Sequence, residues 1–284
     1  MSINAGIISG IPKLVATNME MSLKQRAIFA NLANRNYEGE ISQYGDTVVI
    51  TTPGSVTVNT YDGSDITYQD MILAEQELKI DQYKAYGFKI DTIDERFLKP
   101  SVMMAYGQEA SYALSQNIED FYAAKHSEAD GDMTITASIT SANVISTLSN
   151  AVKLLGRKNY PKGAPLWGVI PPWMSTKIQL ADIVFNTNNS PTMTNGWLGR
   201  YLGVDWYESN NIVTTGTVGT ENSKIMIGTP NTFTHAQAIL RNRAKEAEKS
   251  YAVLVDGLLV YGGKLVRKDQ LVVIDGTEAA ETSI

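Results

Sequence analysis

Cysteine is absent from the 284 residues. That excludes disulfides, thiolate metal sites and cysteine nucleophiles together, and it fits assembly in a reducing cytoplasm. Histidine is nearly absent. His126 and His235 are far apart in sequence, with neither an i, i+4 ligand partner nor an HExxH frame, and they read as a helix-end and a helix-surface histidine. Charge is sparse: 19% of residues are charged, against about 25% in an ordinary soluble chain. Part of the surface is therefore expected to be uncharged or covered by neighbouring subunits. Cations are the scarcer sign, 24 Lys and Arg against 30 Asp and Glu, for a net charge of −6. That balance argues against a freely diffusing nucleic-acid reader, which needs a basic footprint. Long hydrophobic runs are missing too. The most apolar stretch, Tyr251 to Gly263, is broken by Asp256 and three glycines, well short of the roughly 20 residues that span a bilayer. The first residues have no early basic cluster and are interrupted by Gly6, Gly10 and Pro12, so no signal peptide is expected.

What is present is a large apolar fraction, 43%, ordered by changing periodicity. Residues 1–18 are small, polar and aperiodic and read as an extended arm. Ser22 to Gln25 has the spacing of a capping box and opens a helix carrying Leu23, Ala27, Ile28 and Ala30. From Asp46 the period becomes two. Val48, Ile50, Val56 and Val58 lie among Thr and Ser with Pro53-Gly54 and Asp62-Gly63 as turn signals, a polar hairpin with little to bury on itself. Leu78 and Ile80, then Tyr86, Phe88 and Ile90, mark two better-anchored strands. Met103, Tyr106, Ala110, Leu114, Ile118 and Phe121 recur at helical steps after Pro100, predicting a long helix to Lys125, followed by a loop from Ser127 to Thr136. A second helix is expected from a Ser141 cap to Gly156. Leu166 to Ile170 reads as a buried strand, Pro171-Pro172-Trp173 as the start of a short helix, and Asn186 to Asn195 as an exposed loop. Thr232 or Thr234 is expected to cap a helix toward Arg243. Tyr251 to Val255, Leu258 to Tyr261 and Leu271 to Ile274 read as strands, with Asp256-Gly257 as a turn or bulge between the first two. Strands at both ends with helices between predict an α+β fold that pairs distant segments.

Templates of catalysis find no match. There is no G-x-S-x-G or G-x-G-x-x-G, and Gly263-Lys264 has Leu258 where a phosphate loop has its first glycine and Leu265 in place of its Ser or Thr. The acidic pairs Asp91 with Asp94, Glu75 with Glu77, and Asp130 with Asp132 read as a helix-start pair, a solvated strand edge and a loop without the rest of a calcium site. Arg241, Arg243 and Lys245, and Lys264, Arg267 and Lys268, form mild basic clusters without interleaved aromatics. They could face phosphates weakly or pair with Glu246, Glu248 and Asp269, and pairing is the expected role. No cofactor, metal or catalytic residue is expected.

Three stretches in one order carry a resemblance: Tyr44 to Val48 through Gln82 to Phe88-Lys89-Ile90-Asp91; Asn195-Gly196-Trp197-Leu198-Gly199-Arg200-Tyr201-Leu202-Gly203-Val204-Asp205 with Ser209-Asn210-Asn211; and Gly228-Thr229-Pro230 through Glu246 to Gly257–Gly262 and Val266-Arg267. From first to last they span about four-fifths of the chain, and the sequence resembles the major capsid proteins of tailed bacteriophages, whose fold bacterial encapsulins share. The resemblance implies an N-terminal arm and helix over 1–38, an extended loop over 39–77, a peripheral domain with a spine helix over 78–138 and 244–284, and an axial domain over 139–243. It implies self-assembly into hexamers and pentamers of an icosahedral shell around double-stranded DNA, or, alternatively, a compartment around cargo enzymes. Inter-subunit contacts are then expected from Tyr61, Asp62, Gly63 and Asp65 at the hairpin tip, from Asn188, Asn189, Ser190 and Thr192 in a capsomer-centre loop, and from Ile7, Ile8 and Leu14 in the arm. Implied partners are a portal, a separate scaffolding protein, a decoration protein and packaged DNA touched weakly and without sequence preference, with no membrane. The implied location is the virion, assembled in the host cytoplasm. Some relatives lock their shells through a lysine on the extended loop, but residues 45–77 contain no Lys, so a non-covalent shell is expected.

Overall fold

The computed structural model describes residues 27–37, 47–53, 57–58, 60, 63, 68, 70, 73–91, 100–181, 197–248 and 252–280. The arm with Ile7, Ile8 and Leu14, the Ser22 cap, hairpin residues Tyr61, Asp62 and Asp65, and loop residues Asn188, Asn189, Ser190 and Thr192 lie outside these.

Alternation produces a hairpin base from β1 (Thr47–Pro53) and β2 (Leu73–Lys79), antiparallel from Thr47 opposite Lys79 to Pro53 opposite Leu73. Pro53 closes this ladder rather than turning the chain, in the strand-end position where a missing N–H is tolerated. The base is also more one-sided than the Thr-rich sequence suggests. Val48, Ile50 and Leu78, with Ile80 just beyond β2, are buried against Ala236 and Val260.

Those last two belong to a three-stranded antiparallel sheet of β3 (Gln82–Asp91), β10 (Phe233–Glu246) and β11 (Ala252–Leu265), in the order β10-β11-β3. The helix expected after Thr232 is therefore a strand. A long register from Phe233 opposite Leu265 to Glu246 opposite Val253 overrides the local preference of an Ala-containing segment. Asp256-Gly257 runs straight through β11, and the register slip lies on the facing strand between Ile239 and Arg241.

Across this sheet lies α1 (Phe29–Leu32) with α2 (Pro100–Ala124), the expected long helix, about 38 Å at 1.5 Å per residue. Leu114, Ile118, Tyr122 and Ala123 of α2 share a core with Phe29, Phe233, Leu259 and Tyr261. The region expected to be a loop contains two 3₁₀ turns, Lys125–Glu128 and Gly131–Met133, and yields to β4 (Thr134–Ile139).

The second sheet is mixed, in the order β4-β12-β9-β5-β7-β6, from β5 (Leu166–Ile170), β6 (Trp197–Tyr201), β7 (Val204–Glu208), β9 (Asn222–Gly228) and β12 (Leu271–Glu278); β8 (Thr214–Thr215) pairs with β9. On one face α3 (Val144–Arg157) and α4 (Pro172–Leu180) bury Leu148, Ala151, Leu155, Met174 and Ile178 against Ile170, Ile225 and Ile274. Trp167, Val169, Met226 and Val273 join the core of α2 instead, so alternate residues of the same strands join the two halves. Asn143, not Ser141, occupies the N-cap of α3; its carboxamide accepts from the Thr140 amide and donates to the Ser138 carbonyl. β12 lies inside the second sheet, and β10 joins the first sheet from Phe233.

Candidate assembly surfaces

A hairpin can project only if its base is fixed. Beyond the apolar contact of Leu78 and Ile80, Lys264 donates to the Glu77 carbonyl at 3.0 Å and Gln76 donates to the Val266 carbonyl at 3.3 Å. Gly262 and Gly263 let β11 come close on both faces: a Cβ on Gly262 would strike the Lys79 carbonyl oxygen, and one on Gly263 the Tyr122 hydroxyl. The Gly-Lys pair rejected above as a phosphate loop thus serves packing. Farther out, Val58 and Tyr68 are 91% and 88% exposed within this chain, and Gly63 is exposed with φ +91°. Glu75 and Glu77 lie on the exposed face of β2, as the alternation suggested.

The spine helix carries the exposed Tyr106 and Tyr112. Phe88 of β3 stacks between Tyr86 and Tyr106, with centroids 6.5 and 5.9 Å away. On the inner face Glu119 is 2% exposed. One carboxyl oxygen accepts the Phe29 amide at 2.9 Å, tying α1 to α2, while the other is buried without a hydrogen-bond partner. Burial pushes this carboxyl up to about 8, against the pull of the backbone amides of Phe29, Ile28 and Ala30 and with a small push from Asp120. An acidic residue interrupting an apolar helix stripe is the sequence signal that could have singled it out.

His235 is not on a helix surface. It is fully buried on β10, with Nδ1 2.7 Å from the Tyr122 hydroxyl and Nε2 3.0 Å from Gln237 Oε1. Since the amide oxygen can only accept, Nε2 carries the proton and Tyr122 donates to Nδ1. Burial lowers the imidazole to about 4, opposed by the Gln237 hydrogen bond and aided by Arg35. His126 does sit at the helix end, with Nδ1 2.9 Å from the Ala123 carbonyl. Among the described residues no cluster of His, Asp or Glu could hold a metal ion, and no helix is long and apolar enough to cross a membrane.

Of the basic residues, Arg243 pairs across the ladder with Asp256 at 2.6 Å rather than with Glu246 or Glu248. A cleft of about 360 Å³ opens where β5 and β7 end, lined by Pro171, Pro172, Trp173, Ser209, Asn210, Thr214 and Glu221. Its scattered positions gave no motif in the sequence.

No family model matches the chain, and no curated protein matches it. Solved structures do. A structure of Mycobacterium phage Che8 aligns with TM-score 0.66 at 23% identity over 88% of this chain and 91% of that one. The capsid of Ralstonia phage GP4 aligns at 0.68 and 12% over 92% and 93%. A virus-like particle from Pyrococcus furiosus aligns at 0.55 and 11% over 91% and 96%. The chain has the α+β fold of phage capsid subunits over nearly its whole length.

Proposed function

We propose that this chain is the major capsid protein of a tailed phage, assembling through hexamers and pentamers into the icosahedral shell around double-stranded DNA. The observation that carries the reading is two-way coverage. The Ralstonia phage GP4 capsid chain aligns over about nine-tenths of both partners, leaving little of this chain for an additional catalytic domain. Several surfaces also suit a subunit that completes itself with neighbours: a fixed hairpin base with exposed Val58 and Tyr68 beyond it, and a helix presenting Tyr106 and Tyr112. In this reading 39–77 lies over an adjacent subunit, with Tyr61, Asp62, Gly63 and Asp65 as contacts. The arm, through Ile7, Ile8 and Leu14, follows another subunit's spine helix, and Asn188, Asn189, Ser190 and Thr192 face the capsomer centre. The location is the virion, after assembly in the bacterial cytoplasm. Portal, separate scaffolding protein, decoration protein and weakly touched DNA are the other partners, and the role is structural rather than enzymatic.

The likeness to the Pyrococcus particle supports a second reading, an encapsulin-type compartment around cargo enzymes. Particle contents separate the two. Nuclease-protected DNA in particles from infected cells supports the capsid; a co-purified enzyme and no DNA supports the compartment.

A further inference from the structure

Strand direction sorts charge to the two ends of the second sheet. β5 and β7 are parallel, β9 runs against β5, and β12 runs against β9. The C-terminal ends of β5, β7 and β12 therefore lie with the start of β9, bringing Glu208, Glu221 and Glu278 to the end that holds the Trp173 cleft. The opposite end receives Arg157 at the close of α3 with Lys158 and Lys162 beyond it, Arg200 near the end of β6, and Arg267 and Lys268 just before β12. Some of these charges are already used: Lys177 meets Glu278 at 3.9 Å, Arg200 meets Asp205 at 3.8 Å, and Lys158 meets Asp130 at 3.9 Å, with Asp132 close in sequence. Arg157 and Lys162 are exposed, and they, like the half-buried Glu208 and Glu221, have no ion-pair partner among the described residues.

The cleft's chemistry selects among those cations. Trp173 gives its Nε1–H to Ser223 at 3.0 Å, so what it offers the cleft is its ring. Glu221 adds a carboxylate and Asn210 an exposed carboxamide. A ring beside a carboxylate suits a guanidinium, which stacks on aromatic faces and pairs with carboxylates in a fork, better than an ammonium. Arg157 and Arg267 are the exposed arginines at the opposite end without an ion pair among the described residues; Arg267 has Asp269 two positions on, whereas Arg157 has no acidic neighbour in sequence and is held out at the close of α3 before Asn159, whose φ is +53°. It cannot reach the cleft of its own chain, because the length of β5, about 16 Å, separates them. Two different, complementary surfaces at opposite ends of one domain are what a head-to-tail contact that closes a ring requires.

We infer that the Trp173–Glu221 cleft receives Arg157 of a second copy of this chain, joining neighbouring subunits of a capsomer head to tail. The inference rests on the capsid reading. The absence of native cysteine allows a clean test: shells of the double variant Arg157→Cys, Glu221→Cys are oxidised and run on a non-reducing denaturing gel. The two positions are too far apart for a bond within one chain, so a ladder of dimers and higher oligomers is expected, collapsing on reduction. A parallel set carries Arg157→Glu, Glu221→Arg, and both together. Each single reversal is expected to lower shell yield about tenfold, and the pair to restore it. Oxidised shells that give monomer alone, with no rescue by the reversed pair, would overturn the inference while leaving the capsid reading intact. Failure of the unaltered protein to form shells overturns both.

Discussion

Glu119, on the spine helix, and His235, packed beside it, are both buried, and they respond to pH in opposite senses. Glu119 is raised from 4.5 to about 8 in the fold. Its contribution is fully present below pH 4.5 and is lost as pH rises to about 8, on the order of 1 kcal/mol per unit. His235 is lowered from 6.5 to about 4, so its contribution is present above pH 6.5 and is lost as pH falls toward 4. The two slopes oppose each other between about pH 4.5 and 6.5, and Glu119 acts alone above that. Urea midpoints of the free subunit are expected to be nearly level across the lower window and to fall from pH 6.5 to 8. Glu119→Gln should abolish that fall, leaving a rise from pH 4 to 6.5 and a level line beyond; a fall that survives the substitution would show that another group sets it. Gly262 makes a separate prediction: Gly262→Ala, whose methyl meets the Lys79 carbonyl, should destabilise by about 1–3 kcal/mol in chemical denaturation. Neither burial was legible in the sequence. His235 read as exposed because its segment was taken for a helix, whereas the acid in the spine stripe was visible and carried no motif.

Among the elements, the spine helix, the short helix at Pro172 and the strands at Leu166 and Leu78 follow from local pattern and agree with the structure. Misreadings occur where pairing is long-range. β10 is a strand because β11 lies beside it, and β12 joins the second sheet because β4 and β9, both more than forty residues away in sequence, flank it. Periodicity within a window cannot see such partners. The candidate surfaces divide in the same way: the antiparallel hairpin base of β1 and β2 was legible, the Trp173 cleft was not, since three separated segments build it. Anchoring of the hairpin is testable at its root. Ile80 is 2% exposed, packed with Val48, Leu78 and Val260, and Ile80→Ala should cost about 2–5 kcal/mol. Hydrogen exchange in β1 and β2 should speed up in that variant, while α3 keeps its protection; unchanged exchange in β1 would mean that other contacts hold the hairpin. In free subunits little protection is expected over 1–18 and 53–68, with protection gained on assembly.

At the scale of the whole molecule, the proposed shell subunit is joined to its neighbours by many modest contacts rather than by covalent bonds. Residues 45–77 contain no Lys, and Lys79 lies back on β2, exposed, with Glu77 at 3.6 Å. Mature particles boiled in detergent should therefore run as a single band near 31.1 kDa, and a boiling-resistant ladder of oligomers would contradict a non-covalent shell. The central claim is self-assembly, and electron microscopy of the purified full-length protein tests it most directly. The account predicts closed icosahedral shells built of hexamers and pentamers, with 39–77 of each subunit lying over its neighbour and the loop at 186–195 near the capsomer axis. A uniform species of about 31 kDa that forms no shells at any protein concentration would contradict it.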